Sequence, residues 1–287
     1  MATIREIRSR IRSISNLAKI TKAMEMIAAS KMRRVQEGAL AARPYAQKMR
    51  EVLADLAAQP QEGDTIHPLL ERRPIKRMAI VHITADRGLC GGLNANMNRS
   101  TANFLLEQKV PVTLITVGRK GHDFMARHGR EIRAHFTDLG DQPSVVDIIP
   151  IARIVIDDYT DGLIDLAYLA FTRFITTTTQ RPQLQQLLPV QPATLEKQYG
   201  VEYIYEPSSL AVLTELLPRF VETQVYEAIL ESIASEQSAR MVAMRAASDN
   251  ANEMIQELGL AYNKLRQEMI TKELLDITAG IVAKEQA

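Results

Sequence analysis

The sequence predicts an α/β protein in which the two ends of the chain form a long antiparallel coiled coil and the middle forms an α/β domain. Three observations carry this reading. The stretch after Pro207 reads as one helix of roughly 80 residues, against an ordinary helix of about 11–12. The first 58 residues carry a helical apolar stripe of their own. Between them, short β-branched runs alternate with helical patterns, the mark of a largely parallel sheet. The expected boundaries are 1–58 for the first coiled-coil helix, 70–206 for the central domain and 208–286 for the second helix.

The N-terminal stripe runs Ile4, Ile7, Ile11, Ile14, Leu17, Ile20, Met24, Ile27. Steps of three with occasional fours keep one face of a helix apolar. The repeated threes break a strict heptad and predict a locally irregular supercoil. The helix is expected to continue through Lys31, Met32 and Val35, weakened at Gly38, kinked at Pro44 and ending near Leu56. Residues 59–64 read as a loop.

In the middle, residues 75–83 and 110–117 are expected as strands, with helices at 92–107 and 119–129. A helix at 143–160 and a strand at 165–176 follow, and 184–195 and 201–205 read as further extended segments, a hairpin closing the domain. Beyond them, Ser208 or Ser209 is the candidate cap of the last helix, and Pro218 predicts a kink or break. Its apolar positions are Leu230, Ile233, Met244, Ala247, Ala251, Ile255, Leu258, Tyr262, Leu265 and Met269, continuing at Leu274, Ile277 and Ile281. Connectivity favours pairing of the two helices with each other, since the central insert returns the chain to its start; separate homodimeric coiled coils are the rival arrangement.

Composition narrows the function. No window approaches 18 uninterrupted apolar residues, so no transmembrane span is expected. The N-terminus interleaves arginine with isoleucine and lacks a signal core, so it reads as mature structure. The single cysteine, Cys90, excludes an internal disulfide and suits a reducing compartment. Residues 1–50 hold 12 Lys or Arg against 3 Glu in a chain of net charge +1. That basic surface suits either an acidic partner or the acidic remainder of the chain. Nucleic acid is disfavoured, because aromatic stacking residues are missing from the helix and its isoleucines are committed to packing.

The motif candidates for chemistry are weak. The segment 84–94 (TADRGLCGGLN) follows a strand and opens a helix, as an anion-binding turn would. It lacks the Gly-Lys-Ser/Thr of a Walker loop and the dinucleotide fingerprint. Cys90 beside Arg87 is expected to have a lowered pKa, without a histidine partner. His67, His82, His122, His128 and His135 form no HExxH or Cys/His cluster. Asp147, Asp157, Asp158 and Asp161 read as solvent-facing. No catalytic residue, metal or cofactor is expected.

Three segments together resemble the gamma subunits of F-type ATP synthases: 14–32 (ISNLAKITKAMEMIAASKM), 86–94 (DRGLCGGLN) and 232–278, which includes SEQSARMVAMRAASDN and YNKLRQEMIT. The likeness spans essentially the whole chain. It implies a rotor shaft of two antiparallel helices inside a hexamer of alternating alpha and beta subunits. It implies a Rossmann-like middle domain toward the membrane, contacting epsilon and the c-ring. One copy per complex, no catalysis by this chain, no direct membrane insertion, and a place on the cytoplasmic face of a bacterial plasma membrane complete the expectation. Proton flow, or sodium flow in some relatives, would drive rotation. By match to the family motifs, Lys22 and Met24 resemble residues facing the beta lever, although plain seam packing is the alternative for Met24. Cys90 resembles the family cysteine near that lever. Arg266, Gln267 and Thr271 resemble the polar catch on a beta loop. Tyr203 and Glu206 resemble contacts to the c-ring loops; the aromatic often found before them is Val201 here. With one cysteine and no central insertion, the thiol switch of chloroplast relatives is ruled out. The competing readings are a coiled-coil adaptor with an α/β protein-binding domain and an α/β enzyme with helical arms.

Overall fold

The computed structural model describes residues 3–58, 67–191, 205, 206 and 208–285. The chain divides into two compact units, one of residues 28–240 and one made by 1–27 with 241–287.

The larger unit is built on a five-stranded sheet of order β3-β2-β1-β4-β5. Its strands are β1 (Met78–Ile83), β2 (Val112–Val117), β3 (Ile132–Phe136), β4 (Leu166–Phe174) and β5 (Gln180–Leu188). The first four run parallel and β5 returns antiparallel to β4. Helices α2 (Leu93–Glu107) and α3 (Arg119–Arg127) make the crossovers to β2 and β3, and α4 (Val145–Thr160) crosses back to β4. Right-handed crossovers in opposite directions put their helices on opposite faces, which the core residues show. Ile80, Leu114 and Ala170 pack with Met97, Leu105 and Met125 of α2 and α3. Val81, Ile115 and Leu169 pack with Ile148, Ile151 and Val155 of α4. Also on the α4 face are Met49, Leu53 and Leu56 of α1 (Ile4–Ala58) and Leu213, Leu217 and Val221 of α5 (Ser209–Glu285).

Several expectations need correction. Residues 132–136, given no element from sequence, form β3, an edge strand whose alternating half-buried pattern over five residues is too short a signal. The closing hairpin is β4–β5, and its second strand begins at Gln180. Glutamines and Pro182 hide it in sequence, and an edge strand tolerates both. Residues 192–204, which include the end of the 184–195 segment and nearly all of 201–205, lie outside the described residues, as do 59–66. Pro44 and Pro218 interrupt neither long helix. A helix-interior proline costs about 3 kcal/mol, and burial of Leu213, Leu217, Phe220 and Val221 around Pro218 offsets it. Ser208 supplies the cap, its Oγ accepting from Ala211 N–H at 3.2 Å.

The smaller unit is the helix pair. On α1 the covered line is Ile4, Ile7, Ile11, Ile14, Ala18, Thr21, Glu25, and on α5 it is Met244, Ser248, Ala251, Ile255, Leu258, Tyr262, Leu265. Both alternate threes and fours, a regular heptad seam. The expected irregular seam through Leu17, Ile20 and Ile27 is therefore overturned: these side chains are 52%, 57% and 55% exposed. Each step of three rotates the chain back by about 60° on a helix of 3.6 residues per turn, so consecutive threes carry the apolar line off the narrow seam. Small and polar side chains, Ala18, Thr21 and Glu25, take the seam instead.

Candidate functional site

The crevice at the carboxyl ends of the strands, where crossovers diverge in opposite directions, is where open α/β sheets hold ligands. Here it lies between β1 and β4, beside the 84–92 turn. The turn is occupied by the chain itself. Asn94 accepts from Ala85 N–H at 3.1 Å and donates to Cys90 Sγ at 3.3 Å. Asp86 accepts from the N–H groups of Arg119 and Asp138, each at 3.0 Å. Above it α5 crosses the sheet: Ser232 accepts from Thr172 N–H at 3.3 Å, and the Ser235 hydroxyl donates to Thr172 O at 3.0 Å. The Ser238 hydroxyl donates to Thr177 O at 2.7 Å. The small polar residues of the SIASEQSAR segment thus dock a helix onto strand ends that in a nucleotide-binding relative of this architecture would be open.

Arg240 completes the closure. Its guanidinium donates to Gly88 O at 3.2 Å, Gln237 Oε1 at 3.1 Å and Glu236 Oε1 at 2.6 Å. Gln237 reaches on to Asp141 at 3.1 Å, and Asp141 pairs with Lys31 of α1 at 2.7 Å. Burial raises the Glu236 carboxyl above its ordinary range against the pull of Arg240. Burial also raises the Cys90 thiol, with Arg240 lowering it and Glu236 raising it further. The lowered pKa expected for Cys90 from neighbouring Arg87 is corrected accordingly, since desolvation outweighs the cation.

In the helix pair, Glu25 is the one carboxylate among the described seam residues of α1. Lys22 donates to it at 3.0 Å and Arg245 of α5 at 2.9 Å, and these two cations hold it below the usual carboxylate range. Its contribution to stability is accordingly full above the unfolded value of 4.5 and is lost as pH falls through the folded one. Lys22 and Arg245 are largely exposed, so screening keeps the term modest. Glu25→Ala is expected to destabilise the pair by about 1 kcal/mol, read as faster amide exchange in residues 241–251 with no change in the sheet. Uniform exchange across both would refute the assignment. Further out, Arg8 donates to the Tyr262 hydroxyl at 2.8 Å and lies over its ring.

The residues marked by the family resemblance fall as follows. Lys22 is exposed and Met24 half-buried beside the seam, while Cys90 is buried. Arg266, Gln267 and Thr271 are exposed on the part of α5 beyond Leu265, where every described side chain faces solvent. Glu206 is exposed and Tyr203 lies outside the described residues. Lys22 and Met24 share the helix-pair unit with Arg266, Gln267 and Thr271, whereas Cys90 and Glu206 belong to the α/β unit. Sequence reasoning missed Glu25, Lys31, Asp141, Gln237 and Arg240, because the bonds that join them to other elements, Glu25 to Arg245, Lys31 and Gln237 to Asp141 and Arg240 to Gly88, span distances along the chain that spacing does not reveal.

A sheet with one of the chain's own helices docked over its strand ends, and a helix pair that exposes apolar side chains, are the marks of a structural subunit. Comparison with known proteins gives the family. Residues 3–283 match the family model described as ATP synthase. The ATP synthase gamma chain of Dehalococcoides mccartyi is 61% identical over 283 residues, covering 99% of both chains. That of Herpetosiphon aurantiacus is 48% identical over 295 residues, covering 100% of both. Among solved structures, a chain of the Tetrahymena thermophila mitochondrial ATP synthase central stalk and c-ring matches with TM-score 0.60 and 25% identity, over 80% of this chain and 99% of that one. A chain of the Euglena gracilis mitochondrial enzyme matches in fold with TM-score 0.68 and 22% identity, over 98% and 94%. The chain belongs to the ATP synthase gamma chain family, the non-catalytic central-stalk subunits of rotary ATP synthases.

Proposed function

We propose that this chain is the central rotor of an F-type ATP synthase, turning with a c-ring and imposing successive conformations on the catalytic beta subunits. The observation that carries the reading is the apolar surface left open on the helix pair. Leu17, Ile20 and Ile27 on α1 and Ile270, Leu274 and Ile277 on α5 are each about half exposed. Isolated exposed apolar residues need no explanation, but aligned ones mark a contact surface. A hexameric ring of alternating alpha and beta subunits encloses such a surface while allowing it to slide. Because a ring of equivalent sites needs an asymmetric element to bias each site differently, two unlike helices suffice to drive a cycle.

Within this reading, Lys22 and Met24 face a beta lever, with Cys90 near it, and Arg266, Gln267 and Thr271 engage a beta loop. The Arg266 fork suits a carboxylate partner. Tyr203 and Glu206 contact the c-ring, and epsilon binds the α/β domain. The coiled-coil boundaries 1–58 and 208–286 and the central domain 70–206 describe the working parts. One copy serves each complex, held peripherally at the cytoplasmic face of a bacterial membrane and driven by protons; among the described residues no helix is long and apolar enough to cross a membrane.

Titrating an alpha–beta mixture from the same source with this chain tests the reading. ATPase activity is expected to saturate near one chain per three alpha–beta pairs. Replacing Arg266 and Gln267 together with alanine is expected to lower activity about tenfold, as loss of an interface anchor does. No activation and no stable complex, with all components folded, would favour a coiled-coil adaptor instead.

A further inference from the structure

The sealed crevice contains a connected set of bonds that docking alone does not require. Three elements meet there: α1 through Lys31, the loop between β3 and α4 through Asp141, and α5 through Gln237 and Arg240. Arg240 then reaches a fourth, the β1–α2 turn, at Gly88 O. The inner members are shielded, Gln237 being 3% exposed, and the Arg240–Glu236 pair is similarly covered. Shielded charge-assisted bonds are stronger than exposed ones. Apolar packing resists separation of a helix from a sheet but offers little resistance to its turning about its own axis, since apolar contacts have no preferred direction. Bonds from one helix to a strand end at Thr172 and to a turn at Gly88, with a further link to α1 through Asp141, fix its rotational setting.

We propose that Arg240, with Gln237, Asp141 and Lys31, is a torsional clamp that locks α5 and α1 to the sheet, so that a turn of the α/β domain is delivered to the helix pair. Arg240 is a positioning residue in this assignment and touches no nucleotide. The turn it grips has one more feature that fits a held segment: Leu89, a non-glycine residue, is fixed at φ 64° with its side chain 62% exposed. Left-handed backbone at leucine persists only where its surroundings impose it.

The proposal rests on the rotor reading, and the test separates the two. The assembled complex, its hexamer immobilised and its rotor stalled, carries a bead on the α/β domain, and the resting angular variance of the bead reports torsional compliance. Arg240→Ala is expected to raise that variance at least about twofold, because it removes the bond from α5 to Gly88 O and, with the bonds to Glu236 and Gln237 of the same helix, the support that aims Gln237 at Asp141. Asp141→Ala opens both the Lys31 and the Gln237 links from a half-exposed loop with little risk to folding, and should raise the variance by at least as much. Arg240→Lys keeps the charge but not the fork, and is expected to fall between Arg240→Ala and wild type. Equal variance in all variants, with the wild-type rotor turning under ATP, would overturn the clamp and leave the rotor intact. A wild-type complex that does not rotate would overturn both.

Discussion

Gly118→Ala is expected to lower the stability of the α/β unit by about 4 kcal/mol or more, combining overpacking with a left-handed backbone penalty. Gly118 follows β2 at φ 93°, and a Cβ there would stand 2.1 Å from the backbone oxygen of Thr84, the residue after β1. Neither group has freedom to retreat. Thr84 N–H donates to Val117 O at 2.8 Å, and Gly118 N–H donates to Phe136 O at 2.8 Å. The strand ends of β1, β2 and β3 are thus tied through the residue that would have to move. Gly129→Ala provides the control, since Gly129 has φ 64° with nothing within 4 Å of the added carbon. It should cost only about 1–2 kcal/mol. Urea unfolding of both variants checks the difference, and equal losses would show that the strand ends relax more easily than their bonding implies.

The second large effect is acid lability centred on His82. This side chain is fully buried on β1, hydrogen-bonded to Asn98 at 2.8 Å and Thr101 at 3.1 Å from α2. Burial pushes its pKa down from 6.5 to about 4, although the Asn98 bond opposes the shift. The unfolded chain therefore binds the extra proton more readily. Stability from this group is full above 6.5 and falls as pH drops toward 4, where the loss levels off. The loss approaches about 3 kcal/mol at 1.36 kcal/mol per pH unit. His67 and His135 also have lowered values, both through burial first, and contribute in the same direction. His82→Gln keeps a polar group between Asn98 and Thr101 but does not titrate. Unfolding free energies of wild type and variant, measured across that range, should converge as pH falls. Parallel curves would mean that His82 stays neutral in both states or protonates without cost.

Both effects concern residues whose roles were illegible in the sequence. His82 looked like any histidine lacking a ligand motif, and Gly118 belongs to no motif of the sequence. Their constraints come from Thr84, Asn98 and Thr101, which approach only when β1 and β2 pair and α2 packs over them. Similarly, nothing in the sequence singles out Glu25. It is a seam residue because Arg245, far along the chain, arrives opposite it.

What the sequence by itself determined was the pattern of elements and the family. Hydrophobic periodicity and β-branched runs are local properties of neighbouring residues, so α1, α2, α3, α4, α5 and the strands β1, β2 and β4 could be placed from them. The signature segments at 14–32, 86–94 and 232–278 were enough to show the resemblance. Tertiary structure alone decided which apolar residues are buried. A helix pair covers only a narrow line, so Ala18 and Thr21 are inside while Leu17 and Ile20 remain open. It alone decided that Cys90 has a raised rather than lowered pKa, because desolvation depends on what packs over the thiol. It alone brought Lys31, Asp141, Gln237 and Arg240 into one bonded set, since a hydrogen bond needs atoms about 3 Å apart, and sequence spacing says nothing about distances across a fold.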